Sequence, residues 1–145
     1  MSSVDFYFED VDPIQIQKKI LVLQLNSLIK NELKKTGDIS VIFCSDEYLL
    51  QMNKEYLNHD YYTDIITFDY VEDDLVSGDL FISLNRVKEN ARQFETPVLN
   101  ELYRVVFHGT LHLTGYKDKT DSEQKLMREK ENYYLSKVDF KAMKV

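Results

Sequence analysis

The stretch TPVLNELYRVVFHGTLHLTGYKD, residues 96–118, decides how this chain reads. Thr96-Pro97 places a proline where a helix starts, and Leu99, Leu102, Val105, Val106, Leu111 and Leu113 then mark a thick apolar face, so a deeply buried helix is predicted. His108 and His112 are four residues apart, which puts both imidazoles on one face with roughly 6 Å between their Cβ atoms. Gly115 can take the left-handed conformation that ends a helix and turns the chain, bringing Asp118 back toward the histidines. The pattern His-x-x-x-His-x-x-Gly-x-x-Asp therefore predicts a metal site with three protein ligands. Three ligands leave a tetrahedral ion one open position, the mark of a catalytic rather than a closed structural site. Chance also produces histidine pairs at this spacing, but burial alone calls for neither the glycine turn nor the acid that follows. Paired histidines on a helix are the zincin arrangement. Gly109, however, stands where helical zinc peptidases carry a glutamate base, so peptidase chemistry is disfavoured.

Upstream, Asp12-Pro13 reads as a cap and a first helical residue, with Ile16, Ile20, Leu23, Ile29 and Leu33 continuing a long helix up to Gly37. Ile39 to Cys44 reads as a strand, and Asp46 as the cap of a second helix with Leu49, Leu50, Met52 and Tyr56 as its apolar face. A polar, aromatic loop over residues 58–64 leads into a strand from Ile65 to Phe68. After the acidic turn Glu72-Asp73-Asp74 a third strand runs from Leu80 to Leu84, and the two form a hairpin. A helix follows from Asn85 to Phe94. Downstream of the metal motif, Thr120-Asp121-Ser122-Glu123 is a capping box for a last helix reaching about Ser136. The expectation is one α+β domain over residues 1–145, a small mixed sheet flanked by several helices with a zincin-like metal-binding helix.

At 145 residues the chain is long enough for one domain with its own core. Its 43% hydrophobic content excludes a disordered chain. No apolar stretch is long enough for a membrane span, and the N-terminal segment has no basic run before an apolar one, so neither membrane nor signal peptide is expected. The lone Cys44 allows no internal disulfide and, within an apolar run, reads as a core residue; a cytoplasmic location follows. The net charge of −7 repels nucleic acid at long range, so an RNA partner requires a local cationic patch.

The segment His108-Gly109-Thr110-Leu111-His112-Leu113-Thr114-Gly115-Tyr116 resembles the signature of the YbeY family of metal-dependent endoribonucleases. Residues 57–68, with Thr63-Asp64-Ile65-Ile66-Thr67-Phe68, look like that family's Pro-Thr-Asp-Val-Leu-Ser-Phe region, and Gly78-Asp79-Leu80-Phe81-Ile82-Ser83 like its Gly-Asp-Ile-x-Ile-Ser strand. The resemblance implies a small sheet flanked by helices, one Zn2+ per chain, and a single-strand endoribonuclease acting on the ribosomal RNA precursor in ribosome biogenesis. It leaves ribosomal proteins as further candidate partners and gives no reason to expect DNA. Two alternatives stay open: an RNA- or ribosome-binding assembly factor with a structural metal, and a metal hydrolase of a small substrate.

Two positions depart from the family. Asp118 stands where the family usually has a third histidine, a change a metal ion tolerates because carboxylates also ligate zinc. Leu57 follows Tyr56 where the family usually has an arginine. Arg86 is the candidate to replace that arginine, gripping a phosphate and offsetting charge in the transition state. His59, in the polar loop, is a second candidate catalytic residue, by hydrogen bonding to RNA or to a metal-bound water. Lys117 and Lys119 flank Asp118 and are candidates for contact with the RNA backbone. The plain reading of each of these four is a solvated surface side chain.

Overall fold

The structure is a computed structural model and is described over residues 3–143. Its four-stranded sheet has the order β1-β2-β4-β3. Strands β1 (Ser3–Glu9), β2 (Lys35–Cys44) and β4 (Leu75–Ser83) run parallel as neighbours, and β3 (Ile65–Asp69) pairs antiparallel with β4. The expected mixed sheet and hairpin are both present. Alternation along the strands sends Ile39, Val41 and Phe43 of β2, with Leu80 and Ile82 of β4, into the main core. There they meet Leu21, Leu25 and Leu28 of α1 (Lys18–Asn31) and Leu102, Val106 and Leu111 of α4 (Val98–Leu113). The opposite set, Cys44, Ile66, Phe68 and Phe81, packs with Leu49 and Met52 of α2 (Asp46–Leu57) in a smaller cluster. Burial pushes the Cys44 thiol up to about 12, which suits a core residue and not a nucleophile.

Several boundaries correct the sequence reading. The first helix begins at Lys18 rather than beside Pro13, because Val11, Ile14 and Ile16 pack against the core from an irregular segment before Gln17 caps the helix. It stops at Asn31, with Leu33 left-handed at φ 63°; Gly37 lies inside β2 and terminates nothing. Strand β1 occupies a segment for which no element was expected. Ser45, not Asp46, caps α2 by accepting from Tyr48 N–H at 3.1 Å. Tyr56, assigned to the apolar face of α2, is 65% exposed. Leu84 opens α3 (Leu84–Gln93) instead of closing β4, since the Ser83 hydroxyl caps that helix. The capping box at Thr120 and Glu123 forms as expected and starts α5 (Asp121–Leu135). A single turn at Phe140–Ala142 follows.

Helix α4 lies very close to the sheet. A Cβ placed on Gly109 would meet Ile65 Cδ1 at 2.7 Å and Leu80 Cδ2 at 2.9 Å. The position that carries the base in helical zinc peptidases is here a contact point with β3 and β4, where any side chain would require Ile65 and Leu80 to shift. Among the described residues no helix is long and apolar enough to cross a membrane.

Candidate metal centre

Gly115 adopts φ +116°, a conformation that strains any residue with a side chain. Its N–H donates to the carbonyl of His112 at 3.0 Å, and that of Tyr116 to Leu111 at 3.1 Å, so the chain folds back over the end of α4. Asp118 thereby reaches both histidines: its Oδ2 lies 3.1 Å from His108 Nε2 and 3.3 Å from His112 Nε2. The ligating atoms of the three residues all lie within 4.8 Å of one another. Ligands at about 2.05 Å from a tetrahedral ion are separated by about 3.3 Å, so the spacing fits a small divalent cation.

The other nitrogen of each ring is already engaged. His112 Nδ1 lies 2.9 Å from the Tyr116 carbonyl, an acceptor only, so Nδ1 carries the proton and Nε2 is free to ligate. His108 Nδ1 lies 2.7 Å from Glu131 Oε2, a carboxylate on α5 that is 5% exposed. A carboxylate behind a ligating imidazole fixes its tautomer and raises its basicity as a ligand. Burial opposes the charged form of His108, but the hydrogen bond and charge of Glu131, helped by Asp118 and Asp64, outweigh it and hold the imidazole above its ordinary value of 6.5. Burial likewise opposes ionisation of Glu131, yet its bonds to His108 and Arg104 keep it below 4.5. Arg104 Nη1 donates to Glu131 Oε1 at 2.9 Å and Nη2 to Asn132 Oδ1 at 2.9 Å.

A cavity of about 370 Å³ opens beside His108 and Asp118, with Asp64, Glu101 and Glu131 among its walls. Asp64 and Glu101 are both raised above ordinary carboxylate values, first by burial; His108 opposes the shift at Asp64 and Arg104 that at Glu101.

The remaining expected residues do not join this cluster. Arg86 Nε lies 3.2 Å from Asp46 Oδ1, and its guanidinium sits over the Tyr62 ring at 5.1 Å. His59 stacks on Tyr61, whose hydroxyl is 3.0 Å from Nδ1. Lys117 and Lys119 are exposed on either side of Asp118. None of the four lines the cavity. Glu131, Arg104, Glu101 and Asp64 were not singled out from sequence. For Glu101 and Arg104 a signal existed, since 101, 104 and 108 share one face of an otherwise apolar helix. Glu131 had none, because it is brought in only by the packing of α5 on α4.

Fold and site together define the framework of a metal-dependent enzyme: one α+β domain with three potential metal ligands converging on its most buried helix. The profile of the family described as Endoribonuclease YbeY matches residues 7–139. Curated relatives of that name include one from Parabacteroides distasonis, 49% identical over 92% of this chain and 94% of its own length. Another, from Cytophaga hutchinsonii, is 50% identical over 90% of this chain and 93% of its own. The solution structure of TM1509 from Thermotoga maritima superposes with a TM-score of 0.66 at 30% identity, covering 92% of this chain and 87% of that one. The chain belongs to the YbeY family, metal-dependent endoribonucleases with a role in ribosomal RNA maturation.

Proposed function

We propose that this chain cuts single-stranded RNA of the ribosomal RNA precursor in the cytoplasm, with one zinc ion held by His108 Nε2, His112 Nε2 and the Asp118 carboxylate. The observation that carries the reading is the convergence of these three groups, at tetrahedral spacing, with both Nδ1 atoms committed elsewhere. When bound, the ion supplies Lewis acidity to a phosphoryl oxygen and acidifies water. The chain's own residues do the rest. Glu131 and the Tyr116 carbonyl orient the two imidazoles. Arg86, held by Asp46 and Tyr62 with its Nη edge unused by Asp46, grips a phosphate of the strand and offsets charge developing on it. His59 hydrogen-bonds the strand, while Lys117 and Lys119 attract its backbone locally, against the net charge of −7. Ribosomal proteins are the further partners this role brings within reach.

The test combines metal analysis with cleavage of a labelled single-stranded RNA. The wild type should carry one zinc and cut; His108→Ala and Asp118→Ala should fold, hold little zinc and not cut. Full zinc occupancy in either variant would remove that residue from the ligand set. Arg86→Ala should keep its zinc and lose about tenfold or more in turnover. Chelation should stop cleavage while leaving most of the fold, because the core around α1, α4 and the sheet is apolar and independent of the ion.

A further inference from the structure

Resting on the metal-centred RNA cleavage above, we propose that the cavity beside His108 and Asp118 is a nucleobase subsite that selects guanine, for the nucleotide whose phosphate meets the metal. At about 370 Å³ it falls within the size range of small-ligand pockets, roughly 300–1,000 Å³. Its walls have the chemistry of base recognition rather than of a plain cation site. Phe94, at the end of α3, lines the cavity with a ring that is 62% exposed. An aromatic ring held in solvent beside a nuclease centre offers a stacking face that every base can use.

Specificity comes from the polar groups. The side-chain amides of Asn90 and Gln124 line the cavity. The carboxyl groups of Asp64 and Glu101 also line it. Glu101 is only 6% exposed, and its ion pair with Arg104 is long, at 3.9 Å, so its oxygens are not saturated. An ionised carboxylate only accepts hydrogen bonds. Guanine presents two adjacent donors on one edge, N1–H and the exocyclic amino group, which a carboxylate can receive together. Adenine and cytosine place an acceptor beside their amino group, and uracil flanks its single N–H with two carbonyls. A buried acceptor pair therefore rejects those three by leaving polar groups unmatched.

The phosphate end is also provided for. Of the two arginines in the cavity wall, Arg104 is locked by Glu131 and Asn132, whereas Arg128 is 59% exposed and only 3.7 Å from Glu131 at its nearest. Arg128 is the cation free to turn onto a phosphate beside the ion.

The test is a titration of the chain, zinc-loaded and metal-free, with GMP, AMP, CMP, UMP and inorganic phosphate. GMP should bind about tenfold or more tightly than the other nucleotides and than phosphate, and the preference should persist without zinc, because the base contacts do not involve it. Phe94→Ala should lower GMP affinity about tenfold while phosphate affinity stays put. Glu101→Gln should erase the preference for GMP over AMP. If that variant fails to fold, Phe94, which is exposed, carries the test alone. On RNA strands with a single G moved along an otherwise constant sequence, the cut should follow the G. Equal affinity for all four nucleotides, or a GMP affinity untouched by Phe94→Ala, would overturn the subsite. If His108→Ala cleaved like wild type, the metal-centred reading would fail instead, whatever the titrations gave.

Discussion

Lys130 and Glu131 are neighbours on α5, yet their side chains diverge by about 100° around the helix and serve two different carboxylate centres. Glu131 reaches under the metal ligands, where its partners are charged or chargeable: His108 at 2.7 Å and Arg104 at 2.9 Å. Lys130 reaches Glu32, at the end of α1, across 3.4 Å. Glu32 otherwise accepts from hydroxyls, that of Tyr116 at 2.5 Å and that of Tyr134, which Asn31 supports from behind. Both carboxylates stay below ordinary values although burial pushes each upward, because the bonds they receive favour the anion. The difference lies in what each holds. Glu131 grips His108, one of the three candidate ligands, directly. Glu32 grips Tyr116, whose carbonyl accepts from His112 Nδ1, so it sets the geometry of the turn and reaches the candidate metal site only through the backbone.

The strongest way to break this contrast is Glu131→Ala. It leaves Arg104 largely buried without its main partner and should cost about 3–5 kcal/mol of stability, measured by denaturant unfolding of the metal-free protein. Glu131→Gln is gentler on the fold and should still weaken zinc binding about 10–100-fold in a competition titration. A zinc affinity equal to wild type in Glu131→Gln would show that the carboxylate's charge adds nothing to the ligand.

A pH series sharpens the comparison further. His108 has a raised value in the folded chain, so its contribution to stability is present below about 6.5 and is lost as pH rises through the raised value. Glu131 has a lowered value, so its contribution is present above about 4.5 and is lost as pH falls through the lowered one. The metal-free protein should therefore gain from this pair mainly in a weakly acidic window, read as Tm against pH in chelator. Glu131→Gln should flatten that window. Zinc should shift it upward, because the ligating imidazole must be neutral.

The smallest effect is expected from Glu32→Gln. Loss of charge-assisted bonds should cost about 1–3 kcal/mol, with zinc affinity kept within a few-fold, checked by thermal melts and the same zinc competition. A zinc affinity that fell as far as in Glu131→Gln would make the two centres equivalent.

These centres also mark where sequence stopped being informative. The convergence of His108, His112 and Asp118 was legible because they lie within eleven residues, and helix periodicity with one glycine turn relates them geometrically. Strands β2, β3 and β4 and helix α4 were legible through their apolar patterns. Strand β1 was missed although Val4, Phe6 and Phe8 alternate with polar residues or Tyr7, because the segment was weighed only as a leader sequence. Pro13 misled because a proline that suits a helix start suits an irregular segment equally. Glu131 and Glu32 depend on α5 packing between two distant parts of the chain, and no local spacing encodes that contact.

The left-handed turn at Gly115 has one more consequence. Since it closes the ligand set within a single short segment, the chain entropy lost in gathering three donors is small, growing only slowly with the length of the loop enclosed. With all three donors inside eleven residues, an ion bound there would tie the turn to the end of α4 rather than join distant parts of the chain. What the remainder of the molecule adds is stiffness around those donors, through Glu131 on α5, and a walled space next to them.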